Sequence, residues 1–509
     1  MAAAAILTLL LAPLSGRCQN DKESFGEYRK RMRQEFSDYK KKSEEDFAAY
    51  RKKVNEEYAQ FLKARWDELH AMKGVEPPED KVKPQPPTVS PDENNDKSRK
   101  DEEKPYEEVV VLDSPKPQPQ PVVPIDNPKT EPDPKPSPTP KQTTVTTTFH
   151  GTAVKCAIDG KPQFEIASVC EQSLSDAWMQ LSSGQCERLL SECLSVRSSY
   201  QLSDWGYIQM LDGVSQSLTD GDRNKATLLM AWLYCQSGYK MRLSYVNKKV
   251  YMLYASENII YGNSYFVVDD VRYYVYNNPN AERLYICNAA FPKEQTMTLA
   301  MFAAPKLTVR SSSSRVLQSK RYPSIKVTTS VNKNLIDFYN TYPTGSIDDD
   351  FGTRWAMYAN TPLSEKAKES LYPQLRRLLA GKSKLQAAEE LLNFVQTAFV
   401  YEYDDTVWGC DRAFFAEETM FYPYADCEDR SIFYSRLVRD LLDLDVVLLF
   451  YPGHLATAVR FEGEKPQGDF VHLPEGNYYV SDPTYIGASI GMTMPDLKSA
   501  SIKVIRLSK

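Results

Sequence analysis

A thiol, an imidazole and a carboxylate recur in order near the end of this chain. Cys427 lies in the run YADCEDRS at residues 424–431, His454 follows a Pro-Gly pair, and Asp482 ends the run YYVSD. A thiol reacts as the thiolate, an imidazole can take its proton and return it to a leaving group, and a carboxylate can fix the imidazole tautomer. The pattern predicts Cys427 as nucleophile, His454 as base and then acid, and Asp482 as the orienting group.

Three secondary-structure elements must position these side chains. Asp426 is a good N-cap for residues 427–442, where apolar residues recur at helical spacing, so Cys427 is predicted to open a helix. The positive end of that helix is expected to lower the pKa of the thiol. His454 begins one run with a strand pattern and Asp482 follows another. A helix laid across two neighbouring strands would bring the three side chains together.

These residues resemble the transglutaminase-like core, a branch of the papain-like cysteine enzymes. The matching pieces are YADCEDRS, the His after Gly at a strand start, and YYVSDPTY, within residues 361–490. Residues 404–409 are similar to the segment before the nucleophile in bacterial transglutaminase-like cysteine proteinases. The resemblance implies an α+β catalytic domain over residues 361–509, in which a Cys-bearing helix packs on an antiparallel sheet. It also implies the three roles given above.

The resemblance favours a peptidase or amidase that acts on peptide or glutamine amide bonds, and it leaves amine transfer open. The backbone N–H of Cys427 is one candidate for the oxyanion donor, and the side chain of Trp408 or Tyr424 is the other. No cofactor is expected. Some bacterial relatives with a similar acidic flank depend on calcium, which makes Asp426 and Glu428 calcium candidates without a further ligand cluster. The alternative is a non-catalytic binding or scaffold protein built from inactive transglutaminase-like domains.

The same order of features occurs earlier in the chain. Trp205 is followed by Arg223 after 18 residues, as Trp408 is followed by Cys427 after 19 residues. In both places a helix-like run, a strand-like run and a tyrosine-rich run come next. We therefore expect two tandem cores, the first over residues 148–300.

The first core is predicted to be degenerate. Arg223 occupies the nucleophile position, and Asn277 or Asn278 occupies the carboxylate position. No histidine occurs between His150 and His454. This copy is therefore expected to serve packing or to hold a partner rather than to run thiolate chemistry.

A long amphipathic helix is predicted over residues 21–72. Its large apolar side chains recur every eleven residues, and eleven residues make three turns, so they form one nearly straight seam. The remaining surface mixes positive and negative charges, which argues against a nucleic acid or an anionic membrane as the first partner. We expect self-association, in the manner of a coiled coil, or a protein partner through residues 25–66. The seam consists of Phe25, Tyr28, Phe36, Tyr39, Phe47, Tyr50, Tyr58 and Phe61.

Proline and charged residues dominate residues 73–147, which are predicted to form a disordered linker because they offer little apolar surface to bury. Residues 106–112 contain three consecutive valines that could add as a strand to a sheet edge. An unstructured apolar spot in a linker is the favoured interpretation. Removal of residues 1–145 is therefore expected to leave a folded protein.

The remaining segments complete the predicted organisation. Residues 301–360 are expected to form a β-rich connector, with residues 355–359 as one of its strands. Residues 1–19 have a short apolar stretch typical of a secretion signal, so the protein is expected to be secreted or periplasmic, with surface association open. No transmembrane segment is expected. The net charge of −6 argues against a polyanionic partner, and a protein or peptide substrate is expected.

Overall fold

The computed structural model describes residues 25–78, 83, 85–89, 99–112, 116–121, 143–348 and 350–508. The predicted signal at residues 1–19 lies outside the described residues. The chain divides into two compact units, one ending at Val54 and the other beginning at Asn55. The described residues of the first unit, 25–54, form the N-terminal part of a long helix, and the second unit carries the sheets.

Helices and short strands alternate through the second unit, so the chain is a mixed α/β protein with largely antiparallel sheets. The helices are α1 (Phe25–Leu62), α2 (Glu171–Leu181), α3 (Glu187–Ser199), α4 (Asp204–Leu218), α5 (Arg223–Gln236), α6 (Lys333–Tyr339), α7 (Gly352–Asn360), α8 (Glu365–Leu379), α9 (Lys384–Ala398), α10 (Asp404–Val407), α11 (Ala416–Phe421) and α12 (Cys427–Leu442). The strands are β1 (Asp67–His70), β2 (Glu102–Glu103), β3 (Glu108–Val111), β4 (Thr143–Phe149), β5 (Thr152–Ile158), β6 (Met241–Val246), β7 (Lys249–Ala255), β8 (Asn258–Ile260), β9 (Tyr265–Val268), β10 (Val271–Val275), β11 (Arg283–Ile286), β12 (Arg315–Gln318), β13 (Lys326–Thr329), β14 (Gly345–Ile347), β15 (Val446–Tyr451), β16 (His454–Arg460), β17 (Asp469–Leu473), β18 (Gly476–Ser481) and β19 (Lys503–Arg506).

Two large sheets organise the second unit. The first has the strand order β1-β11-β6-β7-β10-β9, and the second has the order β2-β17-β18-β16-β15-β19-β3. The stretch β11-β6-β7-β10-β9 of the first sheet has the same order, in chain sequence, as β19-β15-β16-β18-β17 of the second. In each case a helix precedes the first of these strands, and α5 packs on β7 as α12 packs on β16.

The long helix α1 ends at Leu62 rather than at residue 72. The chain then pairs β1 with β11 at the edge of the first sheet. The last turns of α1 pack into the second unit, where the ring of Tyr58 lies 4.9 Å from the ring of Trp178. The indole of Trp178 also donates a hydrogen bond of 3.0 Å to Asn55. After residue 54 the chain therefore packs and pairs within the second unit, whereas the sequence predicts a helix that continues to residue 72 without such contacts.

The prediction of a disordered linker over residues 73–147 is wrong for the parts that the structure describes. Strand β2 pairs in parallel with β17, and β3 pairs in parallel with β19. The side chain of Val110 in β3 is only 2% exposed. Sheet edges present unpaired backbone N–H and C=O groups. A segment can pair with these groups even when it offers few apolar side chains to bury. Removal of residues 1–145 would take away β1, β2 and β3, so the reason to expect a folded truncated protein is lost.

The connector at residues 301–360 is not β-rich throughout. It contains the short strands β12, β13 and β14, but also α6 and α7. The predicted strand at residues 355–359 lies inside α7, so that prediction is wrong. Its apolar run is buried in a core, and periodicity alone does not distinguish a buried helix from a buried strand. The ring of Trp355 packs edge-on against Phe351 one turn earlier, a contact that only the helix allows at this spacing.

Candidate active site

The N-terminus of α12 places Cys427. The Asp426 side chain accepts a hydrogen bond from the backbone N–H of Asp429, and the Asp429 side chain accepts one from the backbone N–H of Asp426. This reciprocal capping box fixes the first turn of the helix. The predicted helix start at Cys427 is confirmed, and the cysteine is buried at 1% exposure.

Strands β16 and β18 place the imidazole and the carboxylate. A hairpin turn through Gly453, which has a positive φ of 76°, joins β15 to β16 and sets His454 at the start of β16. Asp482 follows the last residue of β18. His454 Nε2 lies 2.8 Å from Asp482 Oδ2. The other oxygen, Oδ1, accepts hydrogen bonds from the backbone N–H groups of Thr484 and Tyr485.

The His454–Asp482 pair leaves one ring nitrogen available. A carboxylate accepts, so Nε2 of His454 carries the proton and Nδ1 is left as a base. Nδ1 is buried and has no hydrogen-bond partner. Helix α12 lies on the same strand, since Ser431, one turn beyond Cys427, donates to the carbonyl of Leu455. The structure brings His454 and Asp482 together, as the sequence predicts, and packs α12 on β16, whereas the thiol of Cys427 hydrogen bonds to Glu428 and not to His454.

The thiol of Cys427 hydrogen bonds to a neighbouring carboxylate. Its Sγ lies 2.8 Å from Glu428 Oε2. Burial raises the pKa of the Cys427 thiol well above its usual range, the charges of Glu428 and Asp426 raise it further, and the ammonium of Lys83 opposes them. The expectation that the helix start lowers this pKa is therefore wrong for this arrangement, because burial and two carboxylates outweigh the helix end.

Lys83 is the residue at this site that sequence reasoning missed. Its Nζ lies 2.5 Å from Asp426 Oδ2 and 2.7 Å from Glu428 Oε1. Carboxylates of Asp404 and Asp411 lie 3.6 and 3.8 Å from the same nitrogen. The lysine comes from a proline-rich stretch with no local signal of a site. It engages both residues that the resemblance suggests as calcium ligands.

The charges of this cluster perturb one another strongly. Burial acts to raise the pKa of Glu428, but the Lys83 ammonium and the hydrogen bond from Cys427 outweigh it and hold that pKa at about 2. Burial and the charge of Glu428 raise the pKa of Asp404 to about 7. Glu428 is thus the ionised partner of Lys83, and the cluster stays compensated only while the ammonium is in place.

The two side chains predicted as oxyanion donors lie in different surroundings. The indole of Trp408 packs edge-on against Tyr422, with the guanidinium of Arg412 4.6 Å from its centre. Tyr424 is 38% exposed. Their role stays a prediction. Tyr401, which sequence reasoning did not select, has a buried hydroxyl without a hydrogen-bond partner, and its pKa is raised by burial and then by the charge of Cys427.

The strand register aligns the first sheet with the second. Asn277 lies two residues beyond Val275, which pairs with Leu253 of β7, just as Asp482 lies two residues beyond Val480, which pairs with Ala458 of β16. This register selects Asn277 rather than Asn278 as the counterpart of Asp482. The positions of Cys427, His454 and Asp482 correspond to Arg223, Lys249 and Asn277. The first sheet therefore carries neither a thiol nor an imidazole at these three positions.

No protein-family model matches the chain. No curated protein matches it in sequence.

In the ranges that the structure covers, none of the helices combines the length and the apolar character needed to cross a bilayer.

Proposed function

We propose that the protein is a transglutaminase-like cysteine peptidase or amidase with two tandem cores, of which the second is catalytic. The observation that supports this proposal most strongly is the buried His454–Asp482 pair beside the helix that begins at Cys427. The shared strand order of the two sheets supports the tandem arrangement. The residues Arg223, Lys249 and Asn277 make the first core a degenerate copy.

In the proposed reaction the thiol of Cys427 breaks its hydrogen bond to Glu428 and passes its proton to Nδ1 of His454. The thiolate sulfur then bonds to the carbonyl carbon of an amide, and the backbone N–H of Cys427 stabilises the oxyanion. The imidazolium of His454 gives its proton to the amine nitrogen as the C–N bond breaks. A water molecule, deprotonated by His454, then attacks the thioester carbon. The C–S bond breaks, and the imidazolium returns the proton to the sulfur of Cys427. Asp482 keeps the proton on Nε2 throughout, which holds the ring in the working tautomer.

The test is site-resolved alkylation of the full chain with iodoacetamide. Peptide mass spectrometry separates Cys427 from Cys410, which is free and exposed and reacts for reasons unrelated to catalysis. We expect the alkylation rate of Cys427 to fall at least about 10-fold in His454→Ala, because the base is gone. The rate at Cys410 is the internal control and should not change. Equal rates at Cys427 in both proteins would contradict the proposal.

A binding or scaffold protein is the second candidate. The observation in its favour is the resting thiol, which hydrogen bonds to Glu428 while Nδ1 of His454 has no partner. A scaffold needs no rearrangement of that thiol. Turnover of a mixed peptide library that disappears in Cys427→Ala decides for the enzyme, and partner capture without turnover decides for the scaffold.

A further inference from the structure

A short segment of the chain contacts the candidate active site. We call it the strap and define it as Lys83 together with residues 85–89. At one end the hydroxyl of Tyr403 donates a hydrogen bond of 3.1 Å to the carbonyl of Lys83. At the other end Thr88 forms a parallel bridge with Ile486. The backbone N–H of Val89 donates to the Ile486 carbonyl, and the Ile486 N–H donates to the Pro87 carbonyl, each at 2.9 Å.

The two ends of the strap contact segments that carry two of the predicted catalytic residues. Lys83 contacts the carboxylates that flank Cys427. Ile486, which pairs with the other end, lies four residues after Asp482. Lys83 thus meets the segment of the nucleophile, and residues 87–89 meet the segment that follows the carboxylate. Backbone hydrogen bonds hold the strap at both ends, and the side chains of Lys83 and Val89 are largely buried, as in a bound peptide.

The strap places one side chain in an apolar pocket and another in an acidic pocket. The side chain of Val89 is buried against a small apolar cluster. The side chain of Lys83 is only 12% exposed, and its ammonium lies among four carboxylates. A buried charge is stable only when it is paired and hydrogen bonded, so this pocket selects a long cationic side chain and rejects a neutral one. The apolar cluster consists of Val89, Tyr485, Ala488 and Met494.

We infer that the cleft binds an extended peptide whose lysine side chain enters the carboxylate pocket, and that the strap is the resident occupant with which such a peptide competes. The interpretation of this cleft as a substrate site rests on the proposed function. Nδ1 of His454, buried and without a partner, lies in the same site and awaits a reacting group. The strap therefore holds the protein in a resting state, and the peptide must displace it.

Competition with the strap sets the apparent affinity for peptide. A peptide binds only to molecules in which the strap is displaced, so its apparent dissociation constant is the intrinsic value divided by the displaced fraction. Weakening the strap raises that fraction. The affinity for the peptide should then rise although none of the carboxylates has changed.

The experiment measures binding of a labelled peptide with the strap sequence KPQPPTV to the full chain by fluorescence anisotropy. Every protein carries Cys427→Ala, so that turnover does not enter the result. We expect Lys83→Gln with Val89→Pro in the protein to tighten binding at least about 10-fold, because the strap loses its charge pair and a backbone donor. The peptide with Lys83→Gln should bind at least about 10-fold more weakly to that protein. Lys100→Ala is the matched control, an exposed lysine of the same proline-rich region.

A second measurement uses the protein without strap substitutions and is independent of their effect on folding. The amide hydrogen of Val89 should exchange faster in excess KPQPPTV peptide, since displacement frees it from the Ile486 carbonyl. Equal affinity for the lysine and glutamine peptides, or unchanged Val89 exchange at saturating peptide, would overturn the inference. Peptide binding without any turnover by the protein that retains Cys427 would instead refute the proposed function and leave this site intact.

Discussion

The thiol of Cys427 and the imidazole of His454 use different partners in the structure. The thiol hydrogen bonds to Glu428, and the imidazole to Asp482. The two groups are placed by adjacent elements, α12 and β16, so a rotation of the cysteine side chain is the change that the proposed reaction requires first. Glu428 holds the thiol protonated, and it is itself held ionised by Lys83.

Replacement of Glu428 tests this electrostatic arrangement. The negative charge of Glu428 raises the pKa of Cys427, so Glu428→Gln should lower that pKa. The thiolate then forms at lower pH, and the midpoint of the alkylation rate of Cys427 against pH should move downward. Glu475→Gln is the control, since Glu475 pairs with Arg506 on the surface. An unchanged midpoint in Glu428→Gln would mean that the charge of Glu428 does not contribute to the pKa of Cys427.

Replacement of Asp482 tests the orienting role. Asp482→Asn keeps the size of the side chain, but its single oxygen is needed by the backbone N–H groups of Thr484 and Tyr485, so an amide NH2 donor faces Nε2 of His454 and favours the wrong tautomer. We expect kcat for peptide hydrolysis to fall by about 10³- to 10⁴-fold with little change in KM. A loss confined to KM would assign Asp482 to binding instead.

At the scale of single elements, the added strand β3 makes a clear stability prediction. Val110 points into the core at 2% exposure, and its neighbour Val111 is 58% exposed. Val110→Ala should lower the free energy of unfolding by about 1–3 kcal/mol, because it removes buried methyl groups from a filled site. Val111→Ala should change it by less than about 0.5 kcal/mol. Urea unfolding measures both, and equal losses would mean that β3 does not pack as the structure shows.

Local signals predicted the elements that carry the site. The N-cap Asp426, the Pro-Gly turn before His454 and the alternating run before Asp482 each act within a few residues, so the sequence displays them directly. Lys83 gave no such signal. Its partners are far away in the chain, at Asp426 and Glu428, and a lysine in a proline-rich stretch reads as a solvated linker residue.

Long-range pairing also explains the missed fold elements. Strands β2 and β3 exist because β17 and β19 offer free edges. The three valines of β3 indicated that a strand could form there, but the edge that stabilises it lies far away in the chain, and the short β2 has no such pattern. The mistaken strand in α7 has the opposite cause. A short apolar run fits the helical period and the strand period equally well. The edge-on contact between Phe351 and Trp355, which favours the helix, forms only in the folded core.

For the whole molecule, the aromatic seam of α1 is the feature most suited to association. Phe36 and Tyr39 are 69% and 66% exposed, and the seam repeats at a spacing compatible with helix pairing. We expect Phe36→Ala with Tyr39→Ala to lower the association state in sedimentation equilibrium. Alanine keeps the helix propensity, and Ser37→Ala is the control on the same turn. A wild-type chain that is monomeric at all concentrations would contradict this expectation.

The most direct measurement of the central claim is the formation of an acyl-enzyme at Cys427. The full chain is mixed with p-nitrophenyl acetate, the release of p-nitrophenolate is followed, and the acetylated cysteine is located by peptide mass spectrometry. A Cys-His enzyme gives a burst of about one equivalent with the acetyl group on Cys427. We predict this burst in the wild type and its loss in His454→Ala. Acetylation of Cys410 alone, or equal acetylation of Cys427 in both proteins, would contradict the account.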